Sequence, residues 1–184
     1  MMHGKTPVST IFVHCSATRP AWMEGHHLAA KVAEIRRWHV QDRKWSDIGY
    51  HWLIDRDGQV AQGRLESRVG AHVAKHNTGS LGICLIGGHG SNADDQFHEH
   101  FTPAQDAALR KLIADIKKRA DITAIRGHNE VAAKACPGFN VARWLASEGP
   151  RRPVDAPAAP TPAAKPSSPW AGVLAALAGM FGRK

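Results

Sequence analysis

The stretch IFVHCSAT, residues 11–18, ends an apolar, β-branched run with a histidine next to a cysteine. Runs of this kind are typical of buried strands, so we predict a strand over residues 8–15. Both residue types bind zinc, but successive side chains of a strand point to opposite faces. His14 and Cys15 are therefore poorly placed to share one ion, and the rest of the chain must indicate which of them meets a metal.

Strand and helix patterns alternate after this stretch. Residues 27–40 place apolar side chains at helical spacing, which predicts an amphipathic helix. The stretch YHWLIDRDGQVAQG, residues 50–63, predicts two strands joined by a turn at Asp57 and Gly58. The continuous apolar run LGICLIGG, residues 81–88, predicts a buried strand.

The second half of the body continues the alternation. Thr102, Pro103 and Gln105 form the signature of a capping box with proline at the first helical position, so a helix is expected to begin there. The stretch DITAIRGH, residues 121–128, predicts a short strand, and FNVARWLAS, residues 139–147, predicts a closing helix. Strands interspersed with helices in this way predict an α/β fold, in which helices flank a mixed central β-sheet.

Length and charge narrow the class of protein. The chain has 184 residues, a formal net charge of +8 and a pI near 9.8. This length suits one domain with a hydrophobic core and an appendage. The charge favours association with polyanions such as nucleic acid, anionic lipid or an acidic cell-wall polymer. The cysteines lack the paired spacing of a disulfide framework, and the amino terminus lacks the apolar core of a signal peptide.

Composition changes sharply near residue 150. We predict that residues 1–149 form the folded domain and that residues 150–169, rich in proline and alanine, form an extended linker. Residues 170–184 form an apolar tail. At a rise of about 1.5 Å per residue, this tail is too short to cross a hydrocarbon layer of ~30 Å as a helix. A helix docked on the domain and an interfacial membrane anchor are both compatible with it.

A second informative stretch is RGHNEVAAKACPGF, residues 126–139. His128 follows the predicted strand directly, and Cys136 lies eight residues further on, so the two side chains can converge on one ion. His14 at the end of another strand can complete the set, and three protein ligands leave the fourth position open, as in catalytic zinc sites. The spacing alone is equally compatible with a surface or helix-capping role for His128, which is one of twelve histidines.

The order of motifs along the body resembles that of a known family. The motifs are VHCSAT, EIRRWH, DIGYHWLIDRDG, VGAH, NTGSLGICLIGG, FTPAQ and GHNEVAAKACPGF. This series resembles the phage lysozyme-type N-acetylmuramoyl-L-alanine amidases, endolysins that are related to peptidoglycan recognition proteins. The resemblance covers residues 10–144, nearly the whole predicted domain.

The resemblance implies a catalytic zinc site. By position in the motifs, the Zn²⁺ ligands are His14, His128 and Cys136, and Tyr50 and Lys134 are the catalytic residues. We expect Tyr50 to orient the attacking water, since an unperturbed phenol has a pKa of about 10. We expect Lys134 to place a cation near the developing oxyanion.

Further residues are assigned by the same resemblance or by their surroundings. His72 of VGAH matches a position that lines the substrate groove, and Asn77 and Thr78 are expected to contact the peptide. We interpret Cys84 as a small buried hydrophobic residue. The loop over residues 87–101 is rich in histidine and acidic residues, and we interpret it as a solvated polar loop rather than a metal site.

The implied function is hydrolysis of the amide bond between N-acetylmuramic acid and L-alanine of peptidoglycan, with lysis of the bacterium. We expect a monomer that is made in the host cytoplasm and acts on the cell wall, and contact of residues 170–184 with the bacterial membrane is one of the two interpretations of the tail. A non-catalytic muropeptide-binding module is an alternative, although it would not need Cys136. Regulation of phage RNA polymerase is a further possible role, and only the basic charge favours it. A His₂Cys set also suits blue copper, but no methionine lies near the three ligands in the sequence.

Overall fold

A computed structural model describes residues 1–149. Within this range the strands are β1 Met2–His3, β2 Thr6–Pro7, β3 Thr10–Cys15, β4 Trp52–Ile54, β5 Val60–Gln62, β6 Ser80–Leu85 and β7 Ala124–Gly127. The α-helices are α1 Leu28–Arg37, α2 Phe97–His100, α3 Pro103–Lys117 and α4 Val141–Ala146. A π-helical segment spans Trp38–Asp42 and a 3₁₀ turn spans His128–Glu130. No helix of the described range is long and apolar enough to span a bilayer. The predicted linker and tail lie outside the described residues.

The main sheet has five strands in the order β5-β4-β6-β3-β7. β3 pairs in parallel with β6 on one side and with β7 on the other, and β4 also pairs in parallel with β6. Within this sheet, as far as residues 1–149 describe it, only the edge strand β5 is antiparallel to its neighbour, because it follows β4 through a tight turn. The mixed sheet flanked by helices confirms the fold class predicted from the sequence.

Side chains alternate across β3 between two cores. Val13 and Cys15 belong to the core under α3 and α4, which contains Leu109. On the other face, α1 packs through Leu28, Val32 and Ile35 in a second core that contains Cys84. His14 is paired in register with Cys84, so it lies on the α1 side of the sheet.

The predicted helix over residues 27–40 forms, but it changes type before its end. It is α-helical as far as Arg37, and then the amide of Arg43 donates to the carbonyl of Trp38 at 3.1 Å, a bond that spans five residues. The wider turn brings His39 into the interior, where its Nδ1 accepts the amide of Gly49 at 3.1 Å. The hydrophobic period predicted the helix. The change from α-helix to π-helix could not be predicted in this way, because it accompanies the contact between His39 and Gly49.

The predicted capping box begins α3. The hydroxyl of Thr102 accepts the amide of Gln105 at 3.1 Å, and the Gln105 side chain accepts the amide of Thr102 at 3.1 Å. Gln105 is also fully buried and donates from Nε2 to the carbonyls of Ile54 and Ile86 at 3.2 and 2.9 Å. The same side chain therefore caps the helix and fastens it to the ends of β4 and β6.

A buried ion pair fastens α1 to the face of the sheet that lies opposite α3. The ammonium group of Lys31 donates to both oxygens of Asp55, which follows β4, at 2.9 and 2.8 Å. Lys31 is 8% exposed and Asp55 is 4% exposed, so loss of either partner would leave the other charge buried and unpaired.

We predict that Lys31→Met lowers the free energy of unfolding by about 3–5 kcal/mol, because an unpaired buried carboxylate is costly. Lys111→Met is the matched control, since Lys111 pairs with Asp115 on an exposed face of α3, with 79% of its side chain exposed. That substitution should cost less than about 1 kcal/mol. Urea denaturation of both variants measures the difference, and equal losses would contradict a structural role for the buried pair.

Candidate metal centre

The three predicted ligands meet at the carboxyl end of the parallel strands. His14 is the penultimate residue of β3, and His128 follows β7 directly. Because parallel strands end at the same edge of a sheet, both imidazoles reach one place, and their ring centroids lie 4.8 Å apart. The ligand atoms of His14, His128 and Cys136 all lie within 4.8 Å of one another. The fold therefore brings together the three residues that the sequence predicted as ligands.

Local hydrogen bonds hold the loop that carries two of these residues. The amide of Gly127 donates to the carboxylate of Glu130 at 2.6 Å, which fixes the 3₁₀ turn at His128. The backbone amide of Cys15 donates to Sγ of Cys136 at 3.3 Å. Cys136 is thus positioned by the backbone of β3 itself, next to His14.

His14 presents a different nitrogen to each neighbour. Its Nδ1 lies 3.7 Å from Sγ of Cys136, and its Nε2 lies 3.1 Å from Nδ1 of His72. The side chain is fully buried, and burial lowers its pKa well below the usual value, with smaller contributions from His72, His128 and Lys134. The imidazole is therefore neutral near pH 7, which is the form that binds a metal.

Cys15 occupies the opposite face of β3 from His14, as strand alternation predicts. It lies in the core beneath α3 and is 6% exposed. Its backbone carbonyl accepts from Sγ of Cys136 at 4.0 Å. The Cys15 thiol and burial raise the pKa of Cys136, so a thiolate at Cys136 requires a compensating cation.

Tyr50 lies beside the ligand cluster, in the segment that precedes β4. Its ring centroid is 5.2 Å from that of His14 and 5.4 Å from that of His39. Burial raises the pKa of the phenol well above its usual value, and the nearby Cys84, Cys136 and Cys15 thiols raise it further. In the metal-free chain Tyr50 is therefore a protonated phenol that can donate a hydrogen bond.

Lys134 supplies positive charge near the same cluster. It is exposed and lies two residues before Cys136 in the loop that follows the 3₁₀ turn. Its charge lowers the pKa values of both His14, where burial is the larger cause, and His128, where burial again leads. The ammonium group is thus close enough to act electrostatically on two of the three candidate ligands.

The three residues predicted to contact substrate lie in different surroundings. His72 is 7% exposed and contacts His14 from behind. Oδ1 of Asn77 accepts the amides of His72 and Val73, both at 2.8 Å, and so holds the loop together. Thr78 is exposed and precedes β6, whose first residue pairs with the first residue of β3. Direct contact of these residues with the peptide stays a prediction.

A groove of about 450 Å³ begins beside Tyr50. The residues that line it are Ser16, Ile35, Trp38, His39, Asp42, Arg43 and Tyr50. Apart from Tyr50, none of these residues was predicted from the sequence as a site residue. Several of them come from the π-helical segment and the residue after it. Since no sequence period indicates that segment, the groove could not be predicted from the sequence.

A second group of ligand-type side chains comprises Asp95, Glu99 and His100. Oδ2 of Asp95 accepts from the amide of Asn92 and from His100, both at 2.7 Å. The carboxylate of Glu99 accepts the amide of Gln96 at 2.7 Å, which caps α2. These contacts give the group a role in holding the polar loop before α3.

Known proteins resemble this chain in sequence and in fold. A family model described as N-acetylmuramoyl-L-alanine amidase matches residues 4–139, a range that contains all three candidate ligands. The endolysin of Escherichia phage T7 is 46% identical over 136 residues, which are 73% of this chain and 83% of the relative. The amidase LysC from Clostridium intestinale URNW has a TM-score of 0.62 at 25% identity, covering 79% of this chain and 88% of that one. Drosophila PGRP-LB has a TM-score of 0.62 at 26% identity, with 78% and 82% covered.

From the cluster of His14, His128 and Cys136 we predict that the chain binds one divalent ion through Cys136 and not through Cys15. With Co²⁺ as the probe, a thiolate-to-cobalt charge-transfer band should appear in the near ultraviolet at one equivalent. Cys136→Ser should abolish this band because it removes the thiolate ligand, whereas the matched variant Cys15→Ser should retain it and lose stability. The reverse pattern would mean that Cys15, and not Cys136, is the ligand.

Proposed function

Because the chain belongs to the N-acetylmuramoyl-L-alanine amidase family, we propose that it hydrolyses the amide bond between N-acetylmuramic acid and L-alanine of peptidoglycan by means of a zinc ion. We assign His14, His128 and Cys136 as the zinc ligands. The observation that carries this assignment is the convergence of their ligand atoms within 4.8 Å at the carboxyl end of the parallel strands.

The chemistry of the donor set fits zinc. Two imidazoles and one thiolate are ligands that Zn²⁺ prefers, and three protein ligands are the pattern of catalytic sites. His14 is neutral and directs Nδ1 towards Sγ of Cys136, while Cys136 needs a cation to form its thiolate. The three residues therefore favour a bound divalent ion over an empty cluster.

We assign the catalytic roles to Tyr50 and Lys134. When bound, zinc supplies a Lewis acid that polarises the scissile carbonyl and lowers the pKa of water towards ~7. Tyr50 holds the attacking water in line through its hydroxyl group, since the ring stands next to His14. Lys134, an exposed residue two positions before Cys136, stabilises the negative charge that develops on the carbonyl oxygen.

The groove beside Tyr50 provides a surface for the substrate next to the reacting bond. It combines the aromatic side chain of Trp38 with the charged groups of Asp42 and Arg43. The net charge of +8 adds attraction to acidic polymers of the envelope. The site of action is the bacterial cell wall, and contacts with a membrane through residues 170–184 or with phage RNA polymerase stay predictions from the sequence.

Muropeptide mass spectrometry tests the proposal. Purified peptidoglycan digested by the chain should release free stem peptides that begin with L-alanine, and glycan strands without peptides. A zinc chelator and the variant Cys136→Ser should each abolish this release. Binding of peptidoglycan without release of peptides would instead favour the muropeptide-binding module, and full release in chelator would contradict zinc dependence.

We further predict that Lys134→Met lowers kcat about 10²–10³-fold, the loss seen when one oxyanion donor is removed. Tyr50→Phe should lower kcat about 10²-fold or more because the water loses its orienting hydroxyl. Both variants should keep zinc affinity near that of the wild type. Lys118→Met, at the exposed end of α3, is the control and should leave kcat unchanged. A kcat for Lys134→Met equal to that of this control would remove Lys134 from the mechanism.

A further inference from the structure

His72 stands directly behind His14, on the side away from Cys136. Its Nδ1 is 3.1 Å from Nε2 of His14, and the two rings meet edge to face with centroids 5.1 Å apart. A hydrogen bond between two imidazole nitrogens needs one protonated nitrogen and one lone pair. Which ring donates therefore decides which nitrogen of His14 keeps a lone pair.

The surroundings assign the protons. Nδ1 of His14 lies next to Sγ of Cys136 among the candidate ligands, so it must offer a lone pair when an ion is bound there. The proton of neutral His14 then resides on Nε2 and is donated to His72. As an acceptor at Nδ1, a neutral His72 carries its own proton on Nε2.

The far side of His72 faces the protein interior. Its Nε2 is buried and has no hydrogen-bond partner within the described part of the chain. The hydrogen bond with His14 is therefore the contact that sets which nitrogen of His72 carries the proton.

The fold fixes the ring of His72 in this orientation. Asn77 accepts its backbone amide at 2.8 Å, and the ring rests on Gly82 of β6, where an added Cβ would come within 2.6 Å of Cγ. Phe12 covers another side with a centroid distance of 6.2 Å. Because it is held on several sides, the ring of His72 keeps a fixed position beside His14.

We propose that His72 is a positioning residue which accepts the Nε2–H of His14 and so fixes the tautomer and ring orientation in which His14 presents Nδ1 to zinc. The inference rests on the zinc assignment made under the proposed function. Partners of this kind are usually carboxylates, backbone carbonyls or water, and their loss weakens metal affinity about 10–100-fold. Here a second, buried imidazole takes that place.

Zinc affinity, measured by competition with a chromophoric chelator, tests this role independently of catalysis. His72→Phe keeps the ring but removes the acceptor, and it should weaken zinc binding about 10–100-fold. His72→Asn can place its Oδ1 near the position of Nδ1, and it should restore affinity close to that of the wild type. His3→Phe is the matched control, because His3 is a buried imidazole that bonds Glu66 and Gly79 and not His14 or His72. Its affinity for zinc should be unchanged in folded protein, as judged by circular dichroism.

The outcomes separate this inference from the zinc assignment. If the wild type itself fails to bind zinc, the assignment under the proposed function fails. If the wild type binds but His72→Phe binds equally well, or if His72→Asn is as weak as His72→Phe, the positioning role is overturned.

A measurement on the zinc-loaded wild type avoids variants that fold poorly. In ¹⁵N spectra of labelled histidines, His14 should be protonated at Nε2 and His72 should be unprotonated at Nδ1. The opposite pair of tautomers would overturn the proposal.

Discussion

The pairing of β3 between β6 and β7 is the constraint on which the site depends. All three strands run in parallel, so their carboxyl ends meet at one edge, where His14 and the residue after β7 come together. Both faces of β3 are buried, which specifies its register strongly. A slip of one residue would turn Cys15 towards the cluster and His14 into the core beneath α3. The burial that fixes the register of β3 therefore also decides which of the two residues faces the candidate ligand cluster.

The electrostatics of the site also follow from burial. The imidazole of His14 is neutral because its charged form would be poorly solvated, and the same burial holds the Tyr50 phenol in its protonated form. The thiolate of Cys136 is unfavourable without a cation. A bound divalent ion would change this balance, because its charge would stabilise the thiolate and the lone pairs that face it. Lys134 is exposed, and its part in catalysis belongs to the proposed function.

Much of the fold could be predicted from local patterns. The alternation in β3, the Asp57-Gly58 turn and the capping box at Thr102 are set by side chains close together in sequence, and the structure confirms each of them. The grouping of the candidate ligands could be predicted through the ordered motifs, although spacing alone left it open. The structure brings the three residues together, and their role as zinc ligands stays part of the proposal.

The parts that could not be predicted depend on contacts between distant segments. The π-helical turn brings His39 to the amide of Gly49, and the residues around it line the groove beside Tyr50. His72 is buried and its side chain bonds His14, 58 residues away in sequence. No period or motif reports such a contact, because it arises only when β3 and the loop before β6 lie side by side.

Stoichiometric return of activity tests the central claim most directly. The metal-free chain is titrated with Zn²⁺ while release of stem peptides from peptidoglycan is followed. Activity should be absent at first, rise in proportion to added zinc and saturate at one equivalent per chain. Full activity in the metal-free chain, or saturation that does not depend on Cys136, would contradict a zinc amidase built on His14, His128 and Cys136.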